Sequence, residues 1–288
     1  MSQFPSTHDL LGQAVDAAFA AGQAILSLYA DAGNVEYKAD HSPLTAADRA
    51  AHAVIMAALR RADGYPVLSE EGREMPLAER AAWPRFWLVD PLDGTKEFLK
   101  RNGEFTVNIA LIEAGSPVLG VVCAPVPGTV YAGISGVGAW KAEAGPNCRA
   151  AADLLAGGAA PNPHWTALPL PRAETAGPVR VVASRSHLND DTRAFIAGVE
   201  KEHGPVTLVS IGSSLKLCLV AEGSAEVYPR LAPTSEWDTA AGQAVVEAAG
   251  GTVANYETGK PLRYNKPSLL NPFFVACRRG WDRAGSRT

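Results

Sequence analysis

Between residues 178 and 277 the chain alternates between short β-branched runs and helical runs. Val179 to Ala183 reads as a strand, Asp190 to Glu200 as a helix and Val206 to Ser210 as a strand. Ser213 to Ala221 follows as a helix, Glu226 to Tyr228 as a strand, Asp238 to Ala249 as a helix and Phe273 to Ala276 as a last strand. Such alternation has few solutions, because each helix must bury its apolar stripe on a sheet built from the strands around it, and it predicts an α/β half. The upstream rhythm differs. Leu11, Val15, Phe19, Ile25, Leu26 and Tyr29 mark one amphipathic helix up to the Asp31–Gly33 break. A second follows Thr45, a plausible N-cap, with Ala51, Val54, Ile55, Ala58 and Leu59 as its stripe. Short strands then recur at Pro66–Ser69, Phe86–Val89, Phe105–Ile112, Val118–Cys123 and Val130–Ala132, split by Gly and Pro turns. The expected organisation is an α+β half over 1–141, a variable Ala/Gly/Pro-rich connection over 142–177 and an α/β half over 178–288.

Two halves of that size fit 288 residues with 47% hydrophobic side chains. A formal charge of -4 excludes the broad basic field that grips a nucleic acid polymer, so an anionic ligand must be held by a local site. The four cysteines, Cys123, Cys148, Cys218 and Cys277, are scattered without CxxC spacing, which fits neither a disulfide framework nor zinc. The N-terminal residues lack the basic-then-apolar order of a secretory signal. No apolar run approaches the ~20 residues that span a bilayer. A reducing cytoplasm is the expected setting. His8, His41, His52, His164 and His203 show no metal-binding spacing and are expected at the surface.

The chemistry concentrates in Trp87-Leu88-Val89-Asp90-Pro91-Leu92-Asp93-Gly94-Thr95. An apolar strand delivers two carboxylates, and Pro91, with no N–H and a fixed φ, stiffens the chain between them. Asp90 and Asp93 can converge on one point, as hard divalent cations require of oxygen ligands. The N–H groups of Gly94 and Thr95 suit an anion held by such cations. Taken singly, Asp-Pro and Asp-Gly are ordinary turn dipeptides. Two further acidic sites alter that reading: Glu70-Glu71 at a strand end, and Asp238 at a helix start within an otherwise apolar stretch. Together they provide the carboxylates of a two- or three-metal phosphoryl-transfer site.

These motifs resemble the inositol monophosphatase superfamily of Mg²⁺-dependent, lithium-sensitive phosphatases. WLVDPLDGTKEF at 87–98 and WDTAAGQAVVEAAGG at 237–251 carry the resemblance, together with Glu70-Glu71 and Thr45-Ala46-Ala47-Asp48. Within the superfamily, Thr95-Lys96-Glu97-Phe98, VASRSH at 182–187 and Gly212-Ser213-Ser214-Leu215-Lys216 resemble the CysQ-type 3'(2'),5'-bisphosphate nucleotidases. The fold so implied is a layered αβαβα sandwich, of the inositol monophosphatase and fructose-1,6-bisphosphatase type, with its site between the halves.

By that resemblance, Glu70, Asp90 and the Leu92 carbonyl hold one Mg²⁺, and Asp90, Asp93 and Asp238 hold a second. Glu71 touches a third, weaker ion or its water. Thr95 and Asp48 form the pair that orients and helps deprotonate the attacking water. Gly94 and Thr95 meet the reacting phosphate, while His187, Ser213, Lys216 and Arg230 contact the nucleotide and its distal phosphate. The implied reaction takes adenosine 3',5'-bisphosphate to AMP and phosphate in sulfate assimilation, with 3'-phosphoadenylyl sulfate as a second substrate. An inositol-1-phosphatase or fructose-1,6-bisphosphatase is the nearest alternative, and a metal or nucleotide sensor is the non-enzymatic one. A sensor has no use for a water activator. A homodimer, and peripheral attachment to the cytoplasmic face of the inner membrane, stay open at this stage.

Overall fold

The structure, a computed structural model, describes residues 5–31, 35–37, 43–62, 64–143, 165–171, 177–183 and 188–281. The chain opens with α1 (Thr7–Leu28), whose N-terminus is closed by a capping box between Ser6 and Asp9. A short antiparallel pair, β1 (Val35–Tyr37) and β2 (Pro43–Thr45), leads into α2 (Ala46–Ala62). Thr45 caps that helix, since its hydroxyl accepts the N–H groups of Ala47 and Asp48.

Seven strands then form one sheet in sequence order: β3 (Val67–Ser69), β4 (Arg85–Asp93), β5 (Thr106–Glu113), β6 (Ser116–Ala124), β7 (Thr129–Ile134), β8 (Gly138–Glu143) and β9 (Trp165–Leu168). Only the β3–β4 pairing is parallel. The short helices α3 (Leu77–Arg80) and α4 (Thr95–Leu99) flank β4. Five strands make the second sheet: β10 (Val179–Val182), β11 (Val206–Val209), β12 (Val227–Arg230), β13 (Thr252–Asn255) and β14 (Phe274–Cys277), in spatial order β11-β10-β12-β14-β13. The helices of this part are α5 (Asp190–His203), α6 (Leu215–Glu222) and α7 (Ala240–Ala248).

Burial resolves these elements into five layers. Leu11 and Ile25 of α1 and Ile55 and Leu59 of α2 pack with Trp87, Ile109 and Val121 on one face of the first sheet. Leu88, Ala110 and Val122 point to the opposite face and meet Leu217 of α6, Val245 of α7 and Tyr228 and Phe274 of the second sheet. The far side of that second sheet, through Val181, Val227 and Val275, buries Val199 of α5. The order is αβαβα, as the motifs imply. Both faces of the first sheet are covered, so its strands read as continuous apolar runs rather than alternating ones.

Contrary to the expectation that no apolar run is long enough to span a bilayer, helix α1 is long and apolar enough by length and composition alone. Its apolar stripe is instead spent on α2 and the first sheet. Helix α7 approaches the sheet unusually closely over the paired Gly120 and Gly133. A Cβ on Gly120 would lie 2.4 Å from the Ala241 carbonyl oxygen, so only glycine admits the helix there.

Three expectations change. The stretch 142–177 is not wholly connective, because β9 lies within it and completes the first sheet beside β8. Turn composition hid that strand, and the change of sheet falls between Leu168 and Val179. The helix expected from Asp238 is a 3₁₀ turn, Glu236–Asp238, followed by α7. His52 is half-buried, with Nδ1 2.9 Å from the Ser69 hydroxyl, and not a surface residue. Cys123, Cys218 and Cys277 are buried and form no disulfide among the described residues, whereas Cys148 lies outside them.

Candidate active site

Asp90 and Asp93 are three residues apart on one strand, so a regular pleat would send them to opposite faces. The register prevents this. Asp90 is paired with Asn108 and Asp93 with Thr106, so Pro91 and Leu92 together oppose the single residue Val107. That bulge restores both carboxylates to one face. Proline is tolerated there because the bulge requires no ladder N–H from it. The Leu92 N–H donates to Asp90 Oδ1 at 3.1 Å, while the Leu92 side chain is buried in the core, which leaves its carbonyl as the group it can offer a cation. Gly94 follows with φ +93°, a left-handed turn that starts α4 immediately after the second acid.

Parallel pairing of β3 with β4 sets Ser69 beside Val89, so the next residue, Glu70, falls beside Asp90. The Glu70 N–H donates to the Val89 carbonyl at 3.1 Å, and the two carboxyl groups hydrogen-bond. Asp238 arrives from the 3₁₀ turn ahead of α7, with one carboxylate oxygen accepting the Ser235 N–H at 2.7 Å. Carboxylate oxygens of Asp90, Asp93 and Asp238 lie within 4.8 Å of one another. Glu70 and Glu71 are outside that trio, and Glu71 lies near Arg49, whose guanidinium is held above its usual range chiefly by Glu36 and in smaller part by Glu71.

Such crowding is costly without a counter-charge. Burial, then the charges of Glu70, Asp93 and Asp238, hold the Asp90 carboxyl well above the usual carboxylate range. Burial and Asp93 push Asp238 up to about 8. A raised folded-state pKa contributes stability that is fully present below the unfolded value and is lost as pH rises towards the folded one. The metal-free protein is therefore expected to lose stability between about pH 4 and pH 8, the interval between the ordinary carboxylate value and that of Asp238. A divalent cation removes the penalty and competes with protons for the same oxygens. The rise in Tm on replacing EDTA with Mg²⁺ should accordingly be larger at pH 8 than at pH 5.5. A rise independent of pH would show that these acids do not hold the ion.

Thr95 and Asp48 also meet. The Thr95 hydroxyl is 3.4 Å from Asp48 Oδ1, while Asp48 Oδ2 accepts the N–H and hydroxyl of Thr45 at 2.7 and 2.5 Å. The cap of α2 thus fixes the carboxylate, which is 2% exposed, and leaves one oxygen for Thr95.

Beside this cluster lies a cleft of about 460 Å³ that Asp93, Gly94, Asp238, Ser213, Lys216 and Arg230 line together. Lys216 is 8% exposed, and its ammonium donates to the Ser213 carbonyl at 2.9 Å. Burial pulls it below the usual lysine range, against the opposing pull of Asp93. Arg230 donates from Nη2 to the Pro233 carbonyl at 3.1 Å, while its buried Nε has no partner among the described residues. His187 lies outside the described residues. Lys96, Lys100 and Tyr228 also line the cleft, as does the second half of the TKEF segment through Glu97, and residue types alone did not single them out.

This chain belongs to the inositol monophosphatase family, whose sequence pattern it matches over residues 7–279. It is 48% identical over 272 residues to the 3'(2'),5'-bisphosphate nucleotidase CysQ of Shigella flexneri, covering 92% of this chain and 98% of that protein. The corresponding protein of Buchnera aphidicola is 38% identical over 273 residues, covering 93% of each. Among solved structures, CysQ from Bacteroides thetaiotaomicron superposes with a TM-score of 0.81 at 47% identity, over 94% of this chain and 98% of that one.

Proposed function

We propose that this chain is a metal-dependent phosphatase that hydrolyses the 3'-phosphate of adenosine 3',5'-bisphosphate to AMP and inorganic phosphate. The observation that carries this reading is the pairing, in one cleft, of Asp93 and Asp238 from the acidic cluster with the buried Lys216 and the partly unpartnered Arg230. One end suits a reacting phosphate held through cations, and the other a second phosphate that does not react. The likeness to CysQ proteins over nearly the whole chain supports the same substrate.

The donor set is all oxygen, without thiolate or imidazole, which fits Mg²⁺. In this reading Glu70, Asp90 and the Leu92 carbonyl hold one ion, Asp90, Asp93 and Asp238 hold another, and Glu71 serves a third and weaker one. Bound Mg²⁺ supplies the positive charge that neutralises the phosphate and stabilises the leaving 3'-oxygen. The Thr95 hydroxyl donates to Asp48 Oδ1, which orients its lone pairs towards the attacking water. As the water oxygen forms its bond to phosphorus, its proton passes to Thr95 and the Thr95 proton to Asp48. The phosphorus–3'-oxygen bond breaks on the opposite side, and the 3'-oxygen leaves as a hydroxyl after taking a proton from solvent. Gly94 and Thr95 border the reacting phosphate, and Ser213, Lys216 and Arg230 hold the distal one. His187 is assigned to the nucleotide on sequence grounds.

The test compares kcat/KM for adenosine 3',5'-bisphosphate and for inositol-1-phosphate in wild type, Lys216→Ala and Arg230→Ala. A hydrogen bond to a charged group is worth about 1.5–3 kcal/mol, so each substitution should cost roughly 10–150-fold on the bisphosphate, most of it in KM. The monophosphate should be spared. Equal losses on both substrates would assign these cations to the reacting phosphate or to the fold, and a sugar phosphatase would become the better reading.

A further inference from the structure

We propose that Ser214, held in place by Asn108, is a positioning residue that locks Asp93 against Asp238 for the cation those two acids share. The proposal rests on their assignment as metal ligands. Asp93 lies on β4, Asp238 on the turn before α7, and Ser214 at the start of α6, so three separate elements must be kept in register. The Ser214 hydroxyl reaches two of them. It lies 2.9 Å from Asp93 Oδ2 and 2.9 Å from the Asp238 carbonyl oxygen.

Its orientation is dictated from behind. Thr106 Oγ1 lies 3.0 Å from Asn108 Oδ1 and 2.5 Å from Ser213 Oγ, so its one proton is shared between them, and the amide that turns Oδ1 towards it directs Nδ2 to donate to Ser214 Oγ at 2.9 Å. A serine hydroxyl has a single proton. With one lone pair occupied by Asn108, that proton is shared between Asp93 and the Asp238 backbone. All three supporting residues are buried: Thr106 is 0%, Asn108 1% and Ser214 4% exposed. Water therefore does not compete for these bonds. Ser213, in a left-handed conformation with φ +56°, accepts from Thr106 at 2.5 Å and adds a second donor to Asp93 Oδ2 at 2.6 Å, with no bond to Asp238 among the described residues. Asp93 Oδ2 thus has its donors supplied by protein, while Oδ1 accepts no hydrogen bond among the described residues and is left to a cation. Asn108 has a second constraint as the register partner of Asp90 on β5, so one strand braces both acids of the bulge.

Partners of this kind, behind a metal ligand, typically alter metal affinity by about 10–100-fold. The experiment is a calorimetric Mg²⁺ titration without substrate, alongside Tm in EDTA and turnover as a function of Mg²⁺. Ser214→Ala should weaken Mg²⁺ binding by roughly 10–100-fold, leave the metal-free Tm nearly unchanged and recover most of its turnover at saturating Mg²⁺. Asn108→Ala, which leaves the serine in place, should weaken binding less. The double variant should be no worse than Ser214→Ala, because Asn108 acts through the serine. An unchanged Mg²⁺ affinity in Ser214→Ala overturns the proposal. So does a turnover loss that added Mg²⁺ does not relieve, or full additivity of the two substitutions. Should Ser214→Ala fail to fold, the affinity of Asn108→Ala decides by the same criterion. A wild-type chain that bound no Mg²⁺ would remove the ligand assignment itself, an outcome distinct from any of these.

Discussion

Asp93→Asn is expected to abolish Mg²⁺-dependent turnover while making the metal-free protein more stable. The substitution keeps the shape of a side chain that accepts hydrogen bonds from Ser213 and Ser214 on one oxygen. It removes the charge that, with burial, raises the carboxyls of Asp90 and Asp238. Relief of that repulsion should raise the Tm in EDTA at pH 8, where the wild-type acids are most reluctantly ionised. The same loss deprives the bound phosphate of its main electrostatic compensation, so kcat/KM should fall on the order of 10³-fold or more. The Tm increase on adding Mg²⁺ should shrink in parallel. Stability and function then move in opposite directions, as at other sites that hold like charges together for a ligand. Calorimetry in EDTA and in Mg²⁺, with phosphate-release kinetics on the same preparations, measures all three quantities. Near-wild-type turnover at low Mg²⁺ would reduce Asp93 to an ordinary turn residue.

Thr95→Ala should lower kcat by about 10²–10⁴-fold, the usual contribution of general-base assistance, with little change in KM. Asp48→Asn should do the same, because its carboxylate is the only described acid whose oxygen the Thr95 hydroxyl contacts. If the two residues move one proton, the double variant should lose little more than either single one. Asp48 Oδ2 also closes the N-terminus of α2 through Thr45. Asp48→Ala should therefore lower Tm through the loss of a cap worth about 1 kcal/mol, whereas Asp48→Asn, whose amide oxygen still accepts, and Thr95→Ala should not. Single-turnover kinetics and melting curves of the four variants separate these effects. A loss below ~10-fold in Thr95→Ala removes that hydroxyl from the mechanism.

Much of this site could be read from the linear chain because its carriers are short and local. Asp90, Asp93, Gly94 and Thr95 lie within six residues of one another, and Glu70 stands at the end of an apolar strand. What periodicity could not supply was the bulge. A plain strand reading of 86–93 puts Asp90 and Asp93 on opposite faces, and only pairing with Thr106 and Asn108 shows that they share one. Strand β9 was hidden in an Ala/Gly/Pro-rich stretch because its stability comes from its neighbour β8 and not from its own composition. His52 was misplaced for a similar reason. A lone histidine on a helix carries no sign of the Ser69 hydroxyl that draws it inward.

The sequence by itself determined the helices-then-strands order of the first part, the strand–helix alternation of the second and the identity of the acids that gather at the strand ends, while the αβαβα class came from the resemblance its motifs carry. The first three are local properties: propensity, apolar period and residue chemistry act over a few positions. Tertiary structure alone decided which oxygens converge, which cations are buried beside them, and what holds the acids in place. Lys216 is a phosphate contact by resemblance alone until α6 is seen to bury it beside the acids, and Asn108 reads as an ordinary strand residue until its amide is found behind Ser214. Asp93 and Asp238 are 145 positions apart in the chain (238 − 93) and come together where α7 settles against the sheet over Gly120 and Ser214 reaches both. Contacts across such distances depend on how layers pack, and no local pattern of residues encodes them.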